Sequence, residues 1–147
     1  PMRYFVLRAL EMTGLYSAAE ELLDPWENAA HYHLLTIPET SDFVGSRSDC
    51  HAWSAIPLYE YTACCLGVQP VDYGRGIRIK PLANWIPFCA GKVVTPQGVV
   101  TVSVWHTETG CRVEAQTPQV PVYVELPSGK QVAFPRGGTI VVFDDEQ

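Results

Sequence analysis

At 147 residues, with 47% hydrophobic and 18% charged side chains, the chain has the composition of a globular protein of one domain or two small ones, not of a disordered one. A net charge of -6 and a pI near 5.1 leave no Lys/Arg stripe for nucleic acid and no basic helix for a membrane surface. No run approaches the roughly 18 apolar residues of a membrane span, and no charged-then-apolar leader opens the sequence.

Residues Met2 to Met12 (M-R-Y-F-V-L-R-A-L-E-M) are apolar almost all the way round, which predicts a helix buried on most sides. Thr13-Gly14 stops it. Ser17-Ala18-Ala19-Glu20 reads as a capping box opening a second helix, with Leu15, Ala19, Leu22 and Trp26 on its apolar stripe. A turn this short makes the two helices an antiparallel hairpin. The polar stretch from Thr36 to Trp53 follows, and a third helix is predicted from Ser54 to Leu66, with Pro57 in its first turn and Gly67 and Pro70 closing it. Three helices are too few to cover the apolar surface of the first. Either they lie against the second domain or they are the tail of a larger helical assembly, and the second is the reading taken.

From about Gly76 the hydrophobic period becomes two: Ile77/Ile79, Val100/Val102/Val104, Cys111/Val113/Ala115, Val120 to Leu126, Val132/Phe134 and Ile140/Val142. Pro96-Gln97-Gly98, Glu108-Thr109-Gly110, Pro127-Ser128-Gly129 and Arg136-Gly137-Gly138 supply turns between the runs. Short alternating strands at this turn frequency predict an antiparallel β-sandwich. The fold class is thus α+β in segregated domains: a helical hairpin plus a helix over residues 1–67, a linker at 68–75, and a sandwich over 76–147.

Chemistry-bearing groups concentrate in the polar stretch. Glu39 follows Pro38 in a loop, where a carboxylate is available as a general base on water. His51 offers a hydroxyl-binding ring and Trp53 a stacking face for a sugar. Arg47 and Asp49 pair with each other or contact substrate. Each has a plain structural alternative: a solvated glutamate, a hydrogen-bonding histidine, a buried tryptophan, a capping aspartate. His31 and His33 form H-x-H without a third ligand at helical spacing, so no metal is expected, and no cofactor motif occurs. The five cysteines (Cys50, Cys64, Cys65, Cys89 and Cys111) are odd in number, include an adjacent pair and lack C-x-x-C, which predicts buried free thiols. Cys50 beside His51 suggests a thiol nucleophile only weakly, and slow alkylation is expected there. In the second domain Tyr123, Trp105 and Trp85 are aromatics of exposed type, with no convergent polar set visible in sequence.

Several runs together resemble a family. Tyr4-Phe5-Val6-Leu7-Arg8-Ala9-Leu10 followed by Gly14-Leu15-Tyr16, then Leu35-Thr36-Ile37-Pro38-Glu39-Thr40, resemble a late helical hairpin and the base-bearing loop of bacterial α-L-rhamnosidases. Arg47-Ser48-Asp49-Cys50-His51-Ala52-Trp53-Ser54-Ala55 is the most specific match, followed by Pro57-Leu58-Tyr59. Gly67-Val68-Gln69-Pro70 and Ile79-Lys80-Pro81 resemble that family's crossing into a C-terminal β-domain. The resemblance implies a six-hairpin (α/α) barrel backed by a β-sandwich, and hydrolysis of terminal α-L-rhamnosides with inversion. It implies Glu39 as general base, with His51, Trp53, Arg47 and Asp49 on the sugar. It implies no cofactor and a bacterial source; the compartment, cytoplasmic or periplasmic, stays open, and the cysteine pattern read above predicts reduced thiols.

The family's general acid lies upstream of the segment matched, and six hairpins take on the order of 240 residues. The chain is therefore expected to be a C-terminal fragment, inactive as a glycosidase by itself. Its expected partners are a rhamnose-containing oligosaccharide or glycoside, the N-terminal part of the same enzyme, and a second copy met through the apolar helix face. Phe43-Val44-Gly45 is more apolar than the family pattern, a departure that bears on which sugar is preferred. The contrasting reading is a non-catalytic carbohydrate-binding or structural module with a helical adaptor.

Overall fold

The computed structural model describes residues 2–32, 35–40, 48 and 50–144. They divide into two units, Pro1–Glu60 and Tyr61–Gln147. In the first, helix α1 spans Met2–Thr13. Gly14, at φ +74°, ends it in a Schellman arrangement: Gly14 N–H donates to Glu11 O and Leu15 N–H to Leu10 O, at 3.3 and 2.9 Å. A 3-10 turn, Tyr16–Ala19, leads into helix α2, Glu20–His31. Ser17 therefore sits inside the turn and not at a helix cap, which corrects the expected capping box. The tighter turn also shifts the phase of the apolar stripe. Tyr16, Ala19 and Leu23 are buried, while Leu15 is exposed. Arg3 Nη1, at the start of α1, donates to Leu22 O at 3.2 Å, so the chain doubles back as a hairpin.

Helix α1 is not buried on most sides. Leu7 alone is fully covered, and Met2, Phe5 and Met12 are 72%, 59% and 86% exposed. One neighbouring helix and a short third one cover one stripe of a cylinder, and the rest of the apolar surface faces outward. The third helix is also less regular than expected: a 3-10 turn at Ala52–Ser54, helix α3 at Ile56–Glu60, then a π turn at Tyr61–Cys65.

The last residue of α3 holds the first unit together. Glu60 is fully buried. Arg8 Nη2 lies 2.5 and 2.6 Å from its two carboxylate oxygens, and the Tyr16 hydroxyl donates to one of them. Arg8 also donates to Glu11, and its guanidinium lies 4.6 Å from the Tyr59 ring centre. An ion pair removed from water is costly unless geometry and extra hydrogen bonds offset the desolvation, and here a second donor completes the carboxylate.

The second unit is a sandwich of two four-stranded sheets. Its strands are β1 (Val68–Val71), β2 (Gly76–Ile79), β3 (Phe88–Thr95), β4 (Gly98–Thr107), β5 (Gly110–Gln116), β6 (Val122–Glu125), β7 (Gln131–Phe134) and β8 (Thr139–Phe143). The sheet orders are β1-β2-β6-β7 and β3-β4-β5-β8. Ile77, Ile79, Val102, Val104, Val113 and Val124 are among the side chains that fill the core between them. Helices followed by a β-sandwich is the fold class read from sequence, with one difference in detail. Strands β2 and β6 pair in parallel, Ile77 opposite Val122, inside otherwise antiparallel sheets.

Residues 68–75, expected as a linker, form β1 and a 3-10 turn instead. Pro70 is accommodated because β1 is an edge strand. Gly67, at φ +75°, admits a close crossing: an added Cβ would stand 2.3 Å from the Lys80 carbonyl carbon, and Lys80 N–H donates to Gly67 O at 2.8 Å. Strand β3 escaped the period-two reading because Phe88-Cys89-Ala90-Gly91 and Val93-Val94 are non-polar on both faces. Gly91 leaves room for Leu66, whose Cδ1 an added Cβ would approach to 2.8 Å.

Two predictions arise from this packing. Arg8→Met leaves the Glu60 carboxylate buried without its counter-charge and is expected to cost about 3–5 kcal/mol, whereas Arg8→Met with Glu60→Leu recovers most of the loss. Urea unfolding of the two singles and the double checks it. The second concerns His106, opposite Cys111 in the β4–β5 ladder, with a buried Nε2 that has no hydrogen-bond partner. Burial holds its pKa below the ordinary 6.5. The unfolded chain thus takes up a proton where the folded one does not, so stability is full above about pH 6.5 and falls as the pH drops below it. Melting temperatures between about pH 7.5 and about pH 5 should fall more steeply for the native chain than for His106→Gln.

Candidate functional site

Among the described residues of the first unit, two of those singled out in the sequence line a groove of about 300 Å³. Its lining includes Glu39, Trp53, Trp26, Arg3, Met2 and Ile37. Two backbone hydrogen bonds build it: Glu39 N–H donates to Ser48 O at 2.9 Å, and His51 N–H to Ile37 O at 2.8 Å. They tie the segment bearing Glu39 to the segment leading into Trp53, and buried Pro38 restricts the backbone between them. Glu39 is half-buried, so its position is set by main-chain geometry and not by a helix or strand.

Trp53 sits in the 3-10 turn, closed by Ser54 N–H to His51 O at 2.9 Å. The turn is pinned from α2, where Trp26 Nε1 donates to Ser54 O at 2.6 Å. Arg3 lies 5.5 Å from the Trp26 ring centre, a cation over an indole face. The indole of Trp53 is 67% exposed. The groove thus has an apolar wall, an open indole, a guanidinium and one carboxylate. Glu39 is its only acid among the described residues. Such a set offers an apolar stacking surface beside a carboxylate that can accept a hydrogen bond or a proton.

Of the residues singled out in the sequence, Glu39 and Trp53 share this groove. His51 contributes its backbone to the clamp, but it is not among the groove's lining residues, and it is half-buried. Arg47 and Asp49 lie outside the described residues, as do His33 and Phe43-Val44-Gly45. Trp26 was legible only as a stripe residue, and Arg3 only as one of few charges on an apolar helix; neither pattern signals a site. Glu60 had a clearer signal, being the only acid in the apolar run from Pro57 to Leu66. Among the described residues no group of three His, Cys, Asp or Glu side chains is arranged to hold a metal, and no helix is long and apolar enough to cross a membrane.

The thiols differ from one another. Cys64, Cys65 and Cys111 are buried, as expected, and Cys89 is partly so. Cys50 is exposed, against expectation, because it lies in the loop segment before the 3-10 turn and not under a helix. Burial, followed by the nearby Asp144 carboxylate and Cys89, pushes the Cys111 thiol up to about 12. Burial also raises the pKa of Cys89, whose Sγ donates to Cys65 O at 3.6 Å. Exposure now favours labelling at Cys50. Iodoacetamide at neutral pH is expected to modify Cys50 first in the native chain, with Cys64, Cys65 and Cys111 reacting only after denaturation; peptide mass mapping before and after urea reads this directly. Comparison of the chain with protein-family models finds no match, and comparison with curated proteins finds none.

Proposed function

We propose that this chain carries the base side of an inverting glycosidase site of the α-L-rhamnosidase type, with Glu39 as general base and Trp53 as the face against which the sugar stacks. The observation that carries the reading is the clamped loop, which brings Glu39 and Trp53 onto one groove. A volume of about 300 Å³ suits a single pyranose, at the lower end of small-molecule sites. An inverting glycosidase places its two carboxylates about 6.5–9.5 Å apart, leaving room for the water between base and sugar. Glu39 supplies the carboxylate that takes the proton from this water as it attacks the anomeric carbon. The acid that protonates the departing oxygen comes from outside the groove's described lining. In this reading the outward apolar surface of α1 is where the remainder of an (α/α) barrel packs, and the sandwich is the accompanying β-domain of that family. The chain alone is then a hydrolase part without turnover.

L-rhamnose titrated into the isotopically labelled chain is expected to shift the amides of Ile37, Glu39, Thr40, Trp53, Ser54 and Ile56, with the response lost in Trp53→Ala. Absence of these shifts, or equal shifts with D-glucose, overturns the sugar assignment. Aryl α-L-rhamnoside is expected to go uncleaved by the chain alone, and turnover that disappears on Glu39→Gln overturns the missing-acid half of the proposal. In a longer chain that does turn over, Glu39→Gln should lower kcat by about 10²–10⁴-fold.

A further inference from the structure

The outer face of the β3-β4-β5-β8 sheet carries a row that the strand register assembles from four distant places in sequence. Phe88 lies opposite Trp105, Trp105 opposite Arg112, and Arg112 opposite Phe143. Adjacent strands stand about 4.8 Å apart, so the row extends roughly 14 Å across the sheet. Phe88 and Phe143, at its two ends, are 52% and 53% exposed. The Phe88 and Trp105 rings are 5.2 Å apart and tilted by 39°. Arg112 lies 5.7 Å from the Trp105 ring centre and pairs with Glu114. Lys130 Nζ sits 5.7 Å from the Phe143 ring and donates to Phe143 O at 2.8 Å, which anchors that end.

Beside the row lies an open hollow whose lining includes Trp105, Thr107, Arg112, Glu114, Phe143 and Asp144. Asp144 is held rigidly, accepting from Cys111 N–H at 2.8 Å and from the Ser128 hydroxyl. The surface thus alternates ring faces with fixed donors and acceptors. Its charges balance, Arg112 and Lys130 against Glu114 and Asp144, in a chain whose net charge is -6. Balanced charge offers no attraction to a polyanion or polycation. The ion-paired Arg112 guanidinium in the middle of the row sets hydrogen-bonding groups between the rings. Cross-strand packing sets Phe88 against Trp105, and Phe143 continues the row beyond Arg112 beside the Lys130 ammonium.

We propose that this face is a non-catalytic platform for a neutral oligosaccharide, whose C–H faces stack on Trp105, Phe88 and Phe143 while Arg112, Glu114 and Asp144 bond its hydroxyls. It uses none of the groove's residues and stands whether or not Glu39 is a catalytic base. The test is a nuclear magnetic resonance titration of the full labelled chain with cellohexaose, xylohexaose and mannohexaose, each to about 5 mM, the range in which millimolar affinities are read. At least one is expected to move the amides of Phe88, Trp105, Arg112 and Phe143. Trp105→Ala should weaken that hexasaccharide about tenfold and Trp53→Ala should leave it unchanged. Should Trp105→Ala unfold the sheet, Phe143→Ala at the far end of the row carries the same expectation. No response from these amides to any neutral hexasaccharide overturns the proposal. So does a response to polygalacturonate alone, or a response to protein concentration without glycan, which would assign the face to a second copy.

Discussion

A carboxylate withdrawn completely from water organises the helical unit. Glu60 ends α3, and its charge is tolerable only because Arg8 from α1 and Tyr16 from the 3-10 turn both reach it. A single buried charge therefore commits three separated segments to one arrangement, since moving any of them strands an ion in a medium where it is costly. Leu7, Tyr16, Ala19, Leu23 and Ala29 are among the side chains that supply the apolar burial around it. With α1, α2 and α3 held, the segments between α2 and α3 have fixed ends.

That constraint matters for the chemistry. A loop glutamate is ordinarily a solvated charge, and nothing in its local sequence prevents this for Glu39. Two main-chain hydrogen bonds and Pro38 convert it into a half-buried wall of a groove, while the Trp26 indole pins the turn that presents Trp53. The donors and acceptors involved are backbone groups that any residue supplies. The groove's geometry is thus a property of how the loop closes, and its chemistry is a property of the two side chains mounted on it.

The sandwich solves a different problem. Its valine-rich inner faces leave the outer faces free of packing duties, and the same alternation that buries Val104 and Val113 turns Trp105 and Arg112 outward. A sheet thereby aligns side chains far apart in sequence at a fixed spacing, which a loop does only with additional ties. The two candidate binding surfaces show both routes, one built by a clamped loop and one by register.

Much of the fold was legible because hydrophobic period is a local quantity. The helices at the start, the turn at Gly14, six of the eight strands and the turns between β3 and β4, β4 and β5, and β6 and β7 follow from residue type and spacing alone. Strands β1 and β3 were not legible, since one contains proline at an edge and the other is non-polar on both faces. The candidate carboxylate and the indole were visible as residue types in a polar loop. That they face one groove, that Glu60 is buried beside Arg8, that Cys50 is exposed and that β2 and β6 run parallel depend on contacts between distant segments. By itself the sequence determined which segments are helix or strand and which residues are chemically able to act. Only the tertiary structure decided which of those residues meet, because burial, pairing and register are set by the partner segment and not by the segment that carries the residue.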